Sequence, residues 1–276
     1  MFALHKRRIK RKPRTSKEFI IALTLIVLAI CIALTASLMS DRGASQAKPK
    51  AVIIDGLLHY PNETFVKEAT SLLNSTGFEV DYIGGKKVTV DLYRRLPSLG
   101  YRIIILRVHC GPLVETLPNG TIVPGEDAIL FTAEAYSPNK YRIYQRGQLA
   151  RAVITGRPNE LYFAVPPWFF DECAEGRFDD SIVILDSCYG FYSTSMAEAF
   201  IRRGAKVFIG WDGEVQAKHT DYAVLVLLKY LLIDRLTVDQ AVKKVMDEVG
   251  PDPYHHSVML FYPSSAGDYR LERLKR

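Results

Sequence analysis

The sequence predicts an α/β fold, a mainly parallel sheet with helices on both faces. Three observations carry this expectation. Apolar runs at Ala51–Asp55 (AVIID), Tyr101–Val108 (YRIIILRV) and Ser181–Leu185 (SIVIL) lack the polar alternation of a half-exposed strand, as strands buried on both faces do. Segments with apolar residues at helical spacing separate them. Glycine closes those segments at intervals that fit successive βα units.

The elements follow in order. The run 51 to 55 is a strand ending at Gly56, and Asn62 with Glu63 opens a helical pattern through Val66, Ala69, Leu72 and Leu73 that Gly77 closes. Phe78 to Ile83 reads as a second strand and, after a basic, turn-rich stretch, 101 to 108 as a third. Residues 112 to 180 read as an insertion with short strands at 128–132 and 140–144 and a short helix over 166–175. The strand 181–185 is followed by a loop and then a helix, whose start is marked by Ser195-x-x-Glu198 and whose end by Gly204. A strand at 206–210, an apolar buried helix at 223–233, a helix capped by Thr237-x-x-Gln240 and stopped by Gly250-Pro251, and a last strand at 257–262 complete the pattern.

The chain has 276 residues, 36 Lys+Arg against 30 Asp+Glu, and a formal charge of +6. That excess is local: residues 1–18 hold eight basic residues and one acid, and removing them leaves 28 basic against 29 acidic residues. A nucleic-acid binder spreads its basic residues over the folded surface, so nucleic acid is not an expected partner. With 48% hydrophobic and 24% charged residues the chain is not disordered either. Residues 19–39 (FIIALTLIVLAICIALTASLM) carry no charge over 21 positions, long enough as a helix to span the ~30 Å hydrocarbon core of a bilayer. The expected organisation is a basic cytoplasmic tail (1–18), a transmembrane signal-anchor (19–39), a polar linker (40–50) and one α/β domain (51–276). The basic tail keeps the N-terminus cytoplasmic and puts the domain outside the membrane.

Three cysteines fall in the domain, Cys110, Cys173 and Cys188, an odd and sparse set that is no disulfide scaffold. Asn62, Asn74 and Asn119 begin formal glycosylation sequons. His59, His219, His255 and His256 have no metal-binding spacing, so neither a metal nor another cofactor is expected.

In an open parallel sheet, chemistry sits beyond the carboxyl ends of the strands. Two such ends carry reactive residues: Val108-His109-Cys110-Gly111 and Asp186-Ser187-Cys188-Tyr189-Gly190. A histidine and a cysteine at neighbouring strand ends fit a dyad in which imidazole takes the thiol proton and the thiolate attacks a carbonyl. The segment IVILDSCYG resembles the nucleophile motif of the caspase-like cysteine peptidases (metacaspases, clostripain, gingipains, legumain and CHAT peptidases), and 199–210 (AFIRRGAKVFIG) resembles the segment after it in CHAT and clostripain-like domains.

The resemblance implies a caspase-like sheet, Cys188 as nucleophile, His109 as base, and backbone N–H groups of Cys188 with Cys110 or Gly111 as oxyanion hole. It implies that Asp186, two residues before the nucleophile, selects Arg or Lys at the cleavage site, with Asp55, Trp211 and Asp212 as further substrate-binding candidates. The family usually has glycine directly after the histidine, whereas Cys110 stands there in this chain. The expected function is thus a membrane-anchored, outward-facing cysteine endopeptidase acting on peptides with a basic residue; the alternative is a catalytically silent domain that binds partners at the membrane.

Overall fold

The computed structural model describes Ile21, residues 24–28, Ile30, 48–144 and 147–271, in two units divided after Ala47. The described part of the first unit is helical. The basic tail and most of the expected membrane span and linker lie outside the described residues. Among the described residues no helix is long and apolar enough to cross a membrane.

The second unit starts with β1 (Lys50–Asp55), α1 (Glu63–Ser75), β2 (Glu79–Gly84), α2 (Val90–Arg95) and β3 (Tyr101–Arg107). An excursion follows, made of β4 (Cys110–Thr116), β5 (Ile122–Ala135), β6 (Ala150–Val153), β7 (Leu161–Val165) and α3 (Pro167–Glu172). The chain returns through β8 (Ile182–Leu185), α4 (Ser195–Arg202), β9 (Val207–Trp211), α5 (Ala217–Leu228), a π-turn over Lys229–Ile233, α6 (Val238–Glu248) and β10 (Met259–Tyr262). The main sheet runs β10-β9-β8-β3-β1-β2, parallel throughout except for β10. The excursion forms a separate antiparallel sheet, β4-β5-β7-β6.

Unbroken apolar strands are what this sheet requires. Successive side chains point to opposite faces, so Ala51, Ile53, Ile103, Ile105, Ile184 and Ile209 pack under α1, α5 and α6. Val52, Ile54, Ile104, Leu106, Val183 and Leu185 pack on the other face against α2, α3, α4 and the antiparallel sheet. Each of these Val, Leu and Ile side chains, fully buried, stabilises the fold by ~1.5–3 kcal/mol of transfer free energy before entropy is counted.

Local signals hold at several helix ends. Asn62 Oδ1 accepts from Phe65 N–H at the start of α1, and Thr237 with Gln240 forms a reciprocal capping box at α6. Elsewhere the structure departs from expectation. Thr194, not Ser195, precedes α4, and Ser195 instead donates to Asp127 of β5, so a tertiary bond replaces the expected capping box. Residues 140–144 form turns packed through Tyr141 and Tyr144 on Phe163 and Phe169, not a strand. The excursion holds four strands where two were expected, and α2 lies in the stretch read as basic turns. The buried helix begins at Ala217, six residues earlier than its apolar run.

Candidate functional site

The sheet order places β3 and β1 side by side although β2 intervenes in sequence, so the crevice between them opens at the carboxyl edge. A cavity of about 470 Å³ lies there. Leu57 and Tyr60 line it after β1, Val108 and His109 after β3, Asp186, Ser187 and Cys188 after β8, and Val215 to Lys218 with Thr220 after β9. Four consecutive strand ends of the parallel sheet therefore contribute to one wall.

His109 leaves β3 as the chain turns into β4. Its ring sits between Tyr60 (edge-on, centroids 6.0 Å apart) and Phe131 (6.0 Å, tilted), and its carbonyl accepts from Phe131 N–H. Burial, then the charges of His59 and Arg107, pull the imidazole down to about 4. It is therefore neutral at pH 7, a state able to accept a proton. Its Nε2 is buried and has no hydrogen-bond partner among the described residues.

Cys188 leaves β8, the strand directly beside β3. Tyr189 after it has φ +56°, an uncommon conformation for a residue with a Cβ, held by its N–H to Gly213 O (2.8 Å) and its hydroxyl to Glu214 Oε1 (2.9 Å). Gly190 follows where an added Cβ would stand 3.0 Å from Leu185 Cδ2 and 3.4 Å from Gly210 Cα, a close approach that any larger residue would have to relieve by shifting Leu185. The Cys188 sulfur is 3.4 Å from both Val215 N, which donates to it, and Val215 O, which can accept its proton. Burial raises the thiol pKa; the N–H groups of Val215 and of Cys188 itself oppose this, and the carboxylates of Glu214 and Asp252 reinforce it. The resting pair is thus thiol and neutral imidazole, not a preformed thiolate–imidazolium.

Cys110 and Gly111 open β4, facing Leu130 and Ile129. The bond from Phe131 N–H to His109 O sets the ladder register, and antiparallel alternation then turns the Cys110 N–H off the ladder and the Gly111 N–H toward it. The Cys110 thiol is buried, and burial first, then Cys188, raises its pKa. Cys110, Cys173 and Cys188 are all free thiols.

The acidic candidates separate. Arg107, 1% exposed at the end of β3, bonds Asp55 through Nη1 (2.9 Å), Asp221 through Nε (2.7 Å) and Nη2 (3.1 Å), and the Tyr60 carbonyl through Nη2 (2.8 Å). Burial pulls its guanidinium toward neutrality, but the bonds to Asp221 and the charges of Asp55 and Asp221 outweigh that and raise its pKa. Asp55 is therefore a neutralised partner rather than an open acidic contact. Asp186 is fully buried in the cavity wall; Oδ1 accepts from Thr220 (2.7 Å), and Oδ2 receives no donor among the described residues. Burial and the Asp221 charge push the Asp186 carboxyl well above the usual carboxylate range.

Trp211 and Asp212, like Asp55, are not in the cavity wall. Trp211 is completely buried against the α1, α5 and α6 face, its indole N–H donating to Thr220 Oγ1 (2.9 Å). It is a core residue because strand alternation aims it away from the crevice. Asp212 instead accepts from Val258 N–H (2.8 Å), fixing the approach to β10. Sequence reasoning missed Arg107 and Asp221; a basic residue inside an apolar strand, YRIIILRV, is the signal that marked the first, since a buried cation requires carboxylate partners. Asn62, in a formal sequon, donates its side-chain amide to Asp221 (2.7 Å) and is committed to this cluster in the folded chain. Among the described residues no group of His, Cys, Asp and Glu has a metal-binding arrangement.

Scanned against models of known protein families and searched against curated proteins, the chain matched none. Fold and site define a class on their own: a mixed α/β protein whose mostly parallel, helix-flanked sheet carries a histidine and a cysteine at adjacent strand ends in one cavity.

Proposed function

We propose that the chain is a membrane-anchored, extracytoplasmic cysteine endopeptidase of the caspase-like class that cleaves after Arg or Lys, with Cys188 as nucleophile and His109 as base. The observation that carries this reading is that His109 and Cys188 leave neighbouring parallel strands at the same edge and line one cavity. The neutral imidazole takes the thiol proton as sulfur attacks the scissile carbonyl; the resulting imidazolium then protonates the leaving amine, and water hydrolyses the thioester. The Cys188 and Cys110 N–H groups are the donors for the developing oxyanion. Asp186 is the buried carboxyl of the wall whose second oxygen has no partner among the described residues, which supports selection of a cation. The uncharged span 19–39 and the basic residues before it support anchoring with the domain outside.

The test is release of a fluorophore from Arg- or Lys-terminated peptides by the full-length protein and its loss in Cys188→Ala; equal turnover by that variant sinks the dyad. One observation favours the second reading, a silent binding domain: the Cys188 sulfur is bonded to Val215 and the His109 Nε2 to nothing among the described residues. Catalytic hydrogen bonds often tighten only when substrate binds. Iodoacetamide labelling separates the readings: in the peptidase, His109→Ala slows alkylation of Cys188 at pH 7, whereas in a silent domain it changes nothing.

A further inference from the structure

Residues 250–257, between α6 and β10, are tied to the loop 212–216 that meets Cys188. The Cys188 thiol donates to Val215 O and accepts from Val215 N–H, both at 3.4 Å. The next N–H along the chain, that of Gln216, donates to Asp252 Oδ2 (2.8 Å). Carbonyl and N–H of a trans peptide point in opposite directions, so the Val215–Gln216 peptide has the thiol at one end and a carboxylate at the other. Asp252 is 0% exposed, and its Oδ1 accepts from the N–H groups of Tyr254 (2.9 Å) and His255 (2.8 Å). Its own N–H donates to Ser257 O (3.0 Å) and its carbonyl accepts from His256 N–H (2.9 Å), which closes 252–257 into a turn. Two more bonds join the segments: Ser257 Oγ donates to Glu214 O, and His255 Nδ1 meets Glu214 Oε2 at 3.1 Å.

Burial acts to raise the Asp252 carboxyl pKa, but the N–H groups of Gln216, His255 and Tyr254 outweigh it and hold the group below the usual range. Gln216 therefore donates to a charged acceptor, the stronger kind of hydrogen bond. That bond polarises the peptide and strengthens Val215 O as an acceptor for the thiol. A thiol has one proton, and while it is directed at Val215 O it is not directed at His109.

We propose that Asp252 is a positioning residue for Cys188: through Gln216 it fixes the Val215 main chain on the sulfur and keeps the nucleophile a closed, resting thiol until 212–216 is released from 250–257. This adds regulation to the proposed peptidase site and rests on Cys188 as its nucleophile.

The experiment is iodoacetamide alkylation of the full-length protein at pH 7, with the rate at each cysteine read by mass spectrometry of its peptide. In Asp252→Asn the remaining oxygen keeps the Tyr254 and His255 bonds, while the new amide faces Gln216 N–H donor to donor and that bond is lost. Alkylation of Cys188 should quicken at least about tenfold, the effect of one hydrogen bond to a carboxylate, with Cys110 and Cys173 unchanged. No change at Cys188, or equal quickening at all three cysteines, overturns the proposal. A second variant closes the loop instead. An added Cβ on Gly213 stands 3.4 Å from Ser257 Cβ, close to the separation that a disulfide spans, so oxidised Gly213→Cys/Ser257→Cys should label Cys188 at least about tenfold more slowly than after reduction. Equal rates before and after reduction, or failure of the disulfide to form, overturn the proposal even if Asp252→Asn does not fold. Turnover of Arg and Lys peptides is measured beside the labelling: the expected labelling without turnover leaves Asp252 as the lock on Cys188 and overturns only the peptidase reading.

Discussion

At the residue scale, opposite pKa displacements at His109 and Asp186 make opposite predictions for stability. His109 falls from 6.5 to about 4 in the folded chain. Between those values the unfolded chain binds the extra proton, so stability is lost as pH falls. The cost from pH 7 to pH 5 is about 2 kcal/mol, and His109→Asn should remove that part of the slope in denaturant melts at the two pH values. Asp186 is displaced upward, so the folded chain keeps a proton that the unfolded chain has released. Its stabilisation is therefore present below pH 4 and declines as pH rises toward its folded value. Asp186→Asn retains an acceptor for Thr220 and needs no proton, so its melting temperature at pH 7 should rise above that of the parent while its turnover of Arg and Lys peptides collapses. An unchanged or lower melting temperature would show that Asp186 is not held against its own charge.

At the element scale, polar bonds as well as packing fasten the ends of β1, β3 and β8 to the first turns of α5. Replacing Arg107 with Met fills the space but leaves Asp55 and Asp221 buried without their cation, and should cost about 3–5 kcal/mol in a denaturant midpoint series. Thr237→Ala removes one half of the α6 capping box on an exposed helix end and should cost only about 1 kcal/mol. The contrast between these two values separates a site held by a buried ion cluster from ordinary helix-end chemistry. The second sheet adds a constraint at the same edge: β4 begins one residue after His109, so the first pairing of that sheet fixes where the imidazole leaves β3.

At the scale of the whole molecule, the positive charge and the catalytic candidates belong to separate stretches of chain. Residues 1–18 carry a net +7 and the rest of the chain −1, so the α/β unit brings its reactive groups together with a near-balanced charge. If 19–39 is an anchor, the full-length protein should stay in the membrane pellet after alkaline carbonate washing, and protease added to intact cells should digest the domain from outside. Recovery in the wash would remove the anchor from the proposal without touching the dyad.

The strands were legible because burial on both faces demands unbroken apolar runs, and AVIID, YRIIILRV and SIVIL satisfy it within a few residues. The histidine and cysteine were legible because strand ends are local features of the chain. The antiparallel excursion was largely hidden, since β5 and β7 gain their pairing from residues far apart in sequence and carry little periodicity of their own. The acidic group was misread for a related reason. The sequence determined that Asp55, Asp186, Trp211 and Asp212 stand at strand ends, but only the tertiary structure decided which carboxylates Arg107 neutralises, which way Trp211 turns, and that Asp221 arrives from α5 to bond Arg107. A carboxylate's charge depends on what approaches it in space, and that information is not contained in its neighbours along the chain.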